Sequence, residues 1–348
     1  MNRRNINVLL HPVVFFLTFG LLLFYVPADV AAKIVFRIDT ELYVMNDDGS
    51  GRRKLTDNAT TDDIHPRFSP DGRQIVFSRD MKKDRMHSAE LFIINADGTD
   101  LERLTHNNVS DSYPSWSPDG RHIAFSSGRS GSTEVHVMDL ATRAVRQLTF
   151  AVEHQISTAP DFSPDGRQIT FERFSGIPKG GGVGFVGKTI YVMSAEGQHQ
   201  RPLQAWRGDA ASTLQFEPRF SPDGQRVLFD DCQWKGGDFV CRLTVSRIGG
   251  AGQVIDDIYN RIGDNFLVSY AGWMQNGRAI LFAVKRLETP TPNYDLYRYA
   301  FDTRSLRRLT RDPRDESHAD WTQGALSVSA TKKMTTLWGE IKQLNLTD

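Results

Sequence analysis

The sequence has little of several features that indicate familiar classes of function. Its 348 residues include only two cysteines, and 42 basic side chains balance 42 acidic ones, so the formal net charge is zero. A chain without surplus positive charge offers no general attraction to nucleic acid or to an anionic membrane surface. A Gly-x-Ser-x-Gly segment, which holds the nucleophile of α/β-hydrolases, is also lacking. We therefore predict no nucleic-acid partner and no serine-hydrolase site.

Long hydrophobic runs are scarce as well. An apolar run near the N-terminus extends from Val13 to Val26, about 14 residues, whereas a membrane-spanning helix needs roughly 20. Arg3 and Arg4 precede this run and the small residues of Val30 to Ala32 follow it, which is the layout of a secretory signal. We predict a cleaved signal peptide over residues 1–32, no stable membrane span afterwards, and a periplasmic or secreted protein. An uncleaved N-terminal anchor is the alternative.

The chain does contain one segment repeated many times. Close copies read HPRFSPDGRQIVFS, YPSWSPDGRHIAFS, APDFSPDGRQITFE and EPRFSPDGQRVLFD, and degraded copies read YAGWMQNGRAILFA and HADWTQGALSVSA. Ser-Pro-Asp-Gly favours a tight turn, because Pro presets φ, Asp bonds nearby backbone and Gly accepts positive φ. We therefore assign Asp71, Asp119, Asp165 and Asp223 to turns rather than to catalysis.

The spacing of the repeats predicts the architecture. Their anchor aromatics, 46 to 58 residues apart, are Phe68, Trp116, Phe162, Phe220, Trp273 and Trp321. That spacing suits four short strands per repeat. The sequence contains six copies of the first strand of a repeat and six sets of its second to fourth strands, and these must pair with each other. We predict an all-β fold over residues 33–322: a six-bladed β-propeller of four-stranded antiparallel blades, closed by pairing of the N- and C-terminal strands. An open solenoid is the alternative, and residues 323–348 are predicted to pack on the ring as a tail.

These repeats resemble those of the TolB-like propeller family. The resemblance rests on aromatic-Ser-Pro-Asp-Gly-x-x-Ile-x-Phe, on the Tyr-Val-Met-Asn and Phe-Ile-Ile-Asn segments, and on a closing Leu-Thr, and it covers nearly the whole chain after residue 32. It implies a protein that binds a partner. Similar repeats occur in oligogalacturonide lyases and in the propellers of prolyl-oligopeptidase-type peptidases, so the resemblance is specific for the fold and weak for the function. TolB has an additional N-terminal α/β domain, whereas strand sequence begins here at Lys33.

The position three residues before each anchor aromatic is the candidate site. Around the ring it is occupied by His65, Tyr113, Ala159, Glu217, Tyr270 and His318. We expect these side chains at the mouth of the central channel, with His65, Tyr113, Glu217, Tyr270 and His318 binding a partner. Two histidines and a carboxylate suggest a divalent metal, but their spacing is not a metal motif, so we predict no metal and no other cofactor.

The two cysteines predict a disulfide. Cys232 and Cys241 lie symmetrically about the turn sequence Gly236-Gly237, which would place them opposite each other at a non-hydrogen-bonded pair about 4.5 Å apart. In an oxidising compartment such a pair forms a bond. The Gly-rich stretch from Gly180 to Gly187 lacks the Gly-Lys-Ser/Thr ending of a phosphate-binding loop, so we interpret it as a long hairpin loop.

Taken together, these patterns predict a noncatalytic exported scaffold. It would recognise a protein or peptide through the propeller face and the central channel. A lyase or hydrolase that acts on a polysaccharide at a channel site, possibly with a metal, is the alternative from a different class.

Overall fold

The computed structural model describes residues 32–323, except for 59, 82–87, 151, 153, 180–181, 205–213, 236–237, 264–265 and 288–292. The predicted signal peptide, apart from its last residue, and the predicted tail, apart from its first, lie outside the described residues. No helix within those ranges is long and apolar enough to cross a membrane.

The described chain consists almost entirely of short strands. The first twelve are β1 (Lys33–Ile38), β2 (Glu41–Asn46), β3 (Arg53–Lys54), β4 (Asp62–Phe68), β5 (Gln74–Asp80), β6 (Ala89–Asn95), β7 (Glu102–Arg103), β8 (Asp111–Trp116), β9 (His122–Ser127), β10 (Glu134–Asp139), β11 (Val145–Gln147) and β12 (Gln155–Phe162). The next twelve are β13 (Gln168–Lys179), β14 (Gly182–Ser194), β15 (Arg201–Pro202), β16 (Leu214–Phe220), β17 (Arg226–Lys235), β18 (Asp238–Arg247), β19 (Gln253–Val254), β20 (Phe266–Met274), β21 (Ala279–Arg286), β22 (Tyr294–Ala300), β23 (Ser305–Arg308) and β24 (Glu316–Thr322). An α-helix, α1 (Asp256–Ile262), lies between β19 and β20, and a 3₁₀ turn (Gln275–Gly277) follows β20.

These strands form antiparallel sheets of the predicted size. Over the described ranges, four sheets contain four strands each, in the orders β24-β1-β2-β3, β4-β5-β6-β7, β8-β9-β10-β11 and β20-β21-β22-β23. A fifth sheet contains eight strands. It consists of two antiparallel groups, β12 to β15 and β16 to β19, which meet where Lys188 pairs in parallel with Leu214. The C-terminal strand β24 pairs with the N-terminal strand β1, with Ile34 opposite Trp321.

The second strand of each repeat is buried on both faces. These strands are β1, β5, β9, β13, β17 and β21. Each of these strands contributes one fully buried phenylalanine, and the six are Phe36, Phe77, Phe125, Phe171, Phe229 and Phe282. They pack into hydrophobic clusters between successive sheets: for example, Phe77 packs with Val35 and Leu42 of the neighbouring sheet. Burying such a side chain contributes roughly 1.5–3 kcal/mol, so packing between sheets is a major source of stability.

The Ser-Pro-Asp-Gly segments are turns, as predicted. In the first of them, Ser69 Oγ donates a hydrogen bond to Asp71 Oδ1 at 2.6 Å, and the same oxygen accepts from the Arg73 backbone N–H at 3.1 Å. Gly72 has φ +70°. The carboxylate is therefore used to hold the turn, and the other three copies repeat these contacts.

The Gly-rich segment requires a correction. We predicted a hairpin loop from Gly180 to Gly187, but β14 begins at Gly182, which pairs with Lys179 of β13. The two strands continue their ladder into the segment, because glycine is weak in a strand but still offers both backbone groups for pairing.

The closing Leu-Thr motif has a structural explanation. In four repeats its threonine hydroxyl accepts a hydrogen bond, at 2.9 Å, from the first buried N–H of the third strand. In the other two repeats a different side chain accepts this hydrogen bond. The Gln215 side chain accepts from the Ile190 N–H, and the Tyr259 hydroxyl of α1 accepts from the Leu243 N–H. The motif therefore satisfies a backbone donor that would otherwise be buried without a partner.

Replacing such a threonine with an isosteric apolar residue should destabilise the fold. Thr105→Val leaves the Leu91 N–H without its acceptor and Glu90 without a hydroxyl donor, and an unsatisfied buried group costs about 1–3 kcal/mol. We expect a loss of this size in the free energy of unfolding from urea titration. Thr105→Ser, which keeps the hydroxyl, is the matched control, and equal losses in the two variants would contradict this explanation.

The predicted disulfide is present. Cys232 pairs with Cys241 in the ladder of β17 and β18, with Cα atoms 3.9 Å apart, somewhat closer than predicted, and the two sulfurs are bonded. The same ladder places Trp234 opposite Phe239, and the two turn glycines lie outside the described residues.

The disulfide has a direct chemical test. We expect no free thiol in the denatured protein without reductant and two after reduction, because the chain has two cysteines. The bond spans nine residues, and closing so small a loop stabilises by about 2–3 kcal/mol at most. The Cys232→Ser/Cys241→Ser variant should therefore keep its circular dichroism spectrum. Two free thiols before reduction would contradict the pairing.

Candidate functional site

The five predicted site residues line one cavity. It has a volume of about 240 Å³, and His65, Tyr113, Glu217, Tyr270 and His318 all contribute to its wall. Ala159, the sixth member of the ring, is fully buried and is not part of the lining. The structure therefore brings together side chains that are up to 253 positions apart in the sequence (65 to 318).

A shared backbone distortion presents these side chains. Each of the six ring positions has a positive φ, between 49° and 59°, although none is glycine. At each of them the first strand slips in register against its partner, which defines a β-bulge. A left-handed residue costs roughly 1–2 kcal/mol, and bulges re-aim side chains at functional sites. In the four close copies the next residue is proline, which has no N–H to leave unpaired in the bulge.

The strain at these positions can be measured where the side chain is smallest. Ala159→Gly should change the free energy of unfolding by less than about 0.5 kcal/mol, because relief of the left-handed strain offsets the lost methyl group and the added chain entropy. Ala124, equally buried in β9, is the control, and Ala124→Gly should lose about 1–2 kcal/mol. Equal losses at the two positions would contradict the strain.

One wall of the cavity is a row of four aromatic rings in contact. The ring of His65 lies 3.8 Å from that of Tyr113 and 4.7 Å from that of His318, which in turn lies 3.8 Å from Tyr270. Burial lowers the pKa of both imidazoles well below the usual value. They are therefore neutral near pH 7, and His65 Nδ1 has no hydrogen-bond partner.

The opposite wall is acidic. Glu172 accepts a hydrogen bond from the Glu217 backbone N–H at 2.6 Å and forms a 2.5 Å ion pair with Lys188. Burial raises the pKa of Glu217 to about 7, although Arg67 opposes this shift. Burial also raises the pKa of Asp230 well above its usual value, and the carboxylates of Glu217 and Glu172 add to that shift.

We did not predict this acidic wall from the sequence. Glu172 and Asp230, on β13 and β17, end the third and fourth copies of the repeat, where the first two copies have serine, and Lys188 lies on β14. A usable signal was the charged residue within an apolar second strand, since Asp230 follows Phe229 directly. The cysteines and Phe239 also line the cavity, so the disulfide fixes part of its rim.

Charged residues directly before the anchor aromatics hold neighbouring strands in place. Residues directly before the anchors line a second cavity, of about 340 Å³. Asp161 accepts a hydrogen bond from the Phe220 N–H and Asp320 accepts one from the Phe68 N–H, both at 2.8 Å. Each carboxylate thus holds the first strand of the next sheet, while burial raises the pKa of Asp161 to about 7.

A divalent metal in this cavity would require a cluster of ligand side chains. Among the described residues, no group of three or more His, Cys, Asp or Glu side chains is placed to hold a metal ion. The two histidines of the cavity contact each other through their rings instead.

Comparison with known proteins agrees with the repeat pattern. Residues 38–177 match the family model of the TolB beta propeller domain. TolB from Acinetobacter baumannii superimposes with a TM-score of 0.62 at 18% identity, over 85% of this chain and 67% of that one. Hydrazine synthase from Kuenenia stuttgartiensis gives 0.62 at 13% identity, over 84% of this chain and 46% of that one. A chain of a nidogen/laminin complex gives 0.59 at 8% identity, over 84% and 100%.

No curated protein matches the sequence. At these identities the structural likeness shows the fold alone. Antiparallel four-stranded sheets with a repeated turn define the class, a β-propeller-type repeat protein. The match to the TolB beta propeller model over residues 38–177 confirms the resemblance stated from the repeats.

Proposed function

We propose that this protein is an exported, noncatalytic binding scaffold: a closed six-bladed propeller over residues 33–322 whose central cavity receives part of a protein or peptide. Two observations support closure. Strand β24 completes the sheet begun by β1, and Asp320 reaches the Phe68 N–H of the following sheet. The clusters between sheets also support it, since the sheet of β1 packs against those of β5 and β21.

The observation that carries the binding role is the convergence of strained side chains on one cavity. Five non-glycine residues in left-handed conformations line it, although each conformation is unfavourable for its own strand. Several of them, including Tyr113 and Glu217, remain partly exposed. Because five of the six bulged positions contribute to the same cavity wall, the distortion builds a concave site from residues of separate repeats. Export is supported by the disulfide, a bond typical of oxidising compartments.

Partner capture with matched variants tests the role of the cavity. Purified protein immobilised and exposed to the native envelope fraction should retain a stoichiometric protein partner. Tyr113→Ala should reduce that retention by about tenfold or more, as expected for an aromatic side chain central to an interface.

Leu101→Ala is the control for this experiment. Leu101 is 47% exposed and lies beside β7, away from the cavity residues, so its replacement should leave retention unchanged. Equal retention by wild type and Tyr113→Ala, or an equal loss with Leu101→Ala, would contradict binding at the cavity.

A channel-site lyase or hydrolase acting on a polysaccharide is a second candidate, favoured by one observation. Glu217 has a pKa of about 7 within the cavity, which suits a group that transfers protons near neutral pH. The test is incubation with oligogalacturonate and other acidic oligosaccharides, with products followed by chromatography. Products formed by wild type and absent with Glu217→Gln would favour the enzyme over the scaffold.

A further inference from the structure

We propose that the cavity binds a single organic cation, the ammonium or guanidinium group at the end of a lysine or arginine side chain or at the amino terminus of a peptide. This inference rests on the proposed function and specifies the chemistry that the same cavity recognises. It follows from the polar atoms that face the cavity without partners, from the aromatic wall opposite them, and from the size of the space.

Asp230 supplies the first argument. Its side chain lines the cavity and is 4% exposed. One carboxylate oxygen is held by the Tyr270 backbone N–H, but among the described residues Oδ1 has no hydrogen-bond partner. Leaving a buried carboxylate oxygen unpaired is costly, so this oxygen is open to a partner from solvent or from a ligand. A cation with several N–H groups is the ligand that satisfies it best.

Glu217 adds a second acceptor. Its backbone N–H is bound by Glu172, whereas no described residue donates a hydrogen bond to its carboxylate. Glu172 itself is neutralised by Lys188 through their ion pair. The acidic wall therefore keeps two carboxyl groups, those of Glu217 and Asp230, without an internal counter-ion in direct contact.

The aromatic wall favours a cation as well. Tyr113, His65, His318 and Tyr270 form a row of contacting rings along the cavity, and the faces of aromatic rings attract positive charge. The unpartnered Nδ1 of His65 can also accept a hydrogen bond in the neutral imidazole. The protein already contains an example of this arrangement, because the Lys188 ammonium lies 4.2 Å from the centre of the Phe216 ring and beside Glu172.

The size of the cavity limits the ligand to one side chain. Its volume of about 240 Å³ lies below the roughly 300–1,000 Å³ of pockets that enclose whole drug-sized molecules. The disulfide and Phe239 hold one rim in place. A long, thin side chain with a charged end fits this geometry, whereas a folded segment of a partner must remain outside.

Binding of a cation should depend on pH with a defined sign. The Glu217 carboxyl, with a pKa of about 7, faces Asp230, Glu172, Lys188, Arg67 and the two tyrosines of the cavity. A cation prefers the ionised carboxylate, so affinity should rise as pH increases through 7. The histidines do not oppose this trend, because burial holds the pKa of both imidazoles well below the usual value and they carry little positive charge near pH 7. Between pH 5.5 and 8.5 the gain should be about tenfold or more.

Small probes on the full-length protein test the proposal. N-acetyl-lysine methylamide, N-acetyl-arginine methylamide and glycinamide represent the three sources of the cation, and N-acetyl-norleucine methylamide is the uncharged analogue of the first. In NMR or calorimetric titrations at pH 7.5, where most of an α-amino group is still protonated, we expect at least one cationic probe to bind about tenfold more tightly than the norleucine probe. Equal binding of charged and uncharged probes would overturn the proposal.

Two variants locate the effect. Glu217→Gln should weaken the best cationic probe by about tenfold and flatten its pH dependence, while Glu102→Gln, which removes an exposed charge from β7, should change neither. A cooperative thermal unfolding transition is the check that both variants are folded. The comparison of charged with uncharged probes uses wild type alone, so it does not depend on either variant.

The remaining outcomes are also decisive. Unchanged affinity and pH dependence in Glu217→Gln would overturn the proposal, as would saturable Mn²⁺ binding that displaces the probe and is lost in His65→Ala/His318→Ala. Either result is compatible with capture of a protein partner that depends on Tyr113. Failure of the scaffold function is distinguishable from it, because no such partner is then captured.

Discussion

Burial of the second strand on both faces is the constraint on which the rest of the structure depends. A strand with apolar side chains on both sides, such as Ile75 and Phe77 on one face and Val76 on the other, needs a packed sheet above and below it. A sheet that contains such a strand is therefore stabilised by a neighbouring sheet on each face. This requirement accounts for the pairing of β24 with β1, because an incomplete first sheet would expose one of these strands.

Much of the fold could be predicted because its signals are local and repeated. The Ser-Pro-Asp-Gly turn, the two-sided apolar strand and the closing Leu-Thr each have a cause within about 15 residues, and the structure contains all three. The extension of β14 into the Gly-rich segment was not predictable in the same way, since glycine is permitted in both loops and strands. The replacement of Thr by Gln215 and Tyr259 was also hidden, because both lie outside the motif that they replace.

The site was predicted in part. Counting back three residues from each aromatic identified five residues of the cavity wall, because every repeat places that position in the same bulge. The acidic wall depends instead on residue type, because Glu172 and Asp230 end their copies of the repeat at a position that is serine in the first two copies. Glu172, Lys188 and Asp230 come from different strands of the two repeats that share one eight-stranded sheet, and their meeting depends on how these repeats are joined at Lys188 and Leu214. A repeat pattern describes what the blades have in common, whereas this wall arises from where two of them differ.

The contribution of β24 has a consequence for biosynthesis. His318 stands on the last described strand yet contacts His65, which belongs to the first quarter of the chain. A nascent polypeptide therefore lacks one side of the cavity, and one strand of its first sheet, until translation has passed residue 318. Assembly of the cavity is therefore a late event in synthesis, and a product terminated before residue 318 would lack one of the two histidines in its wall.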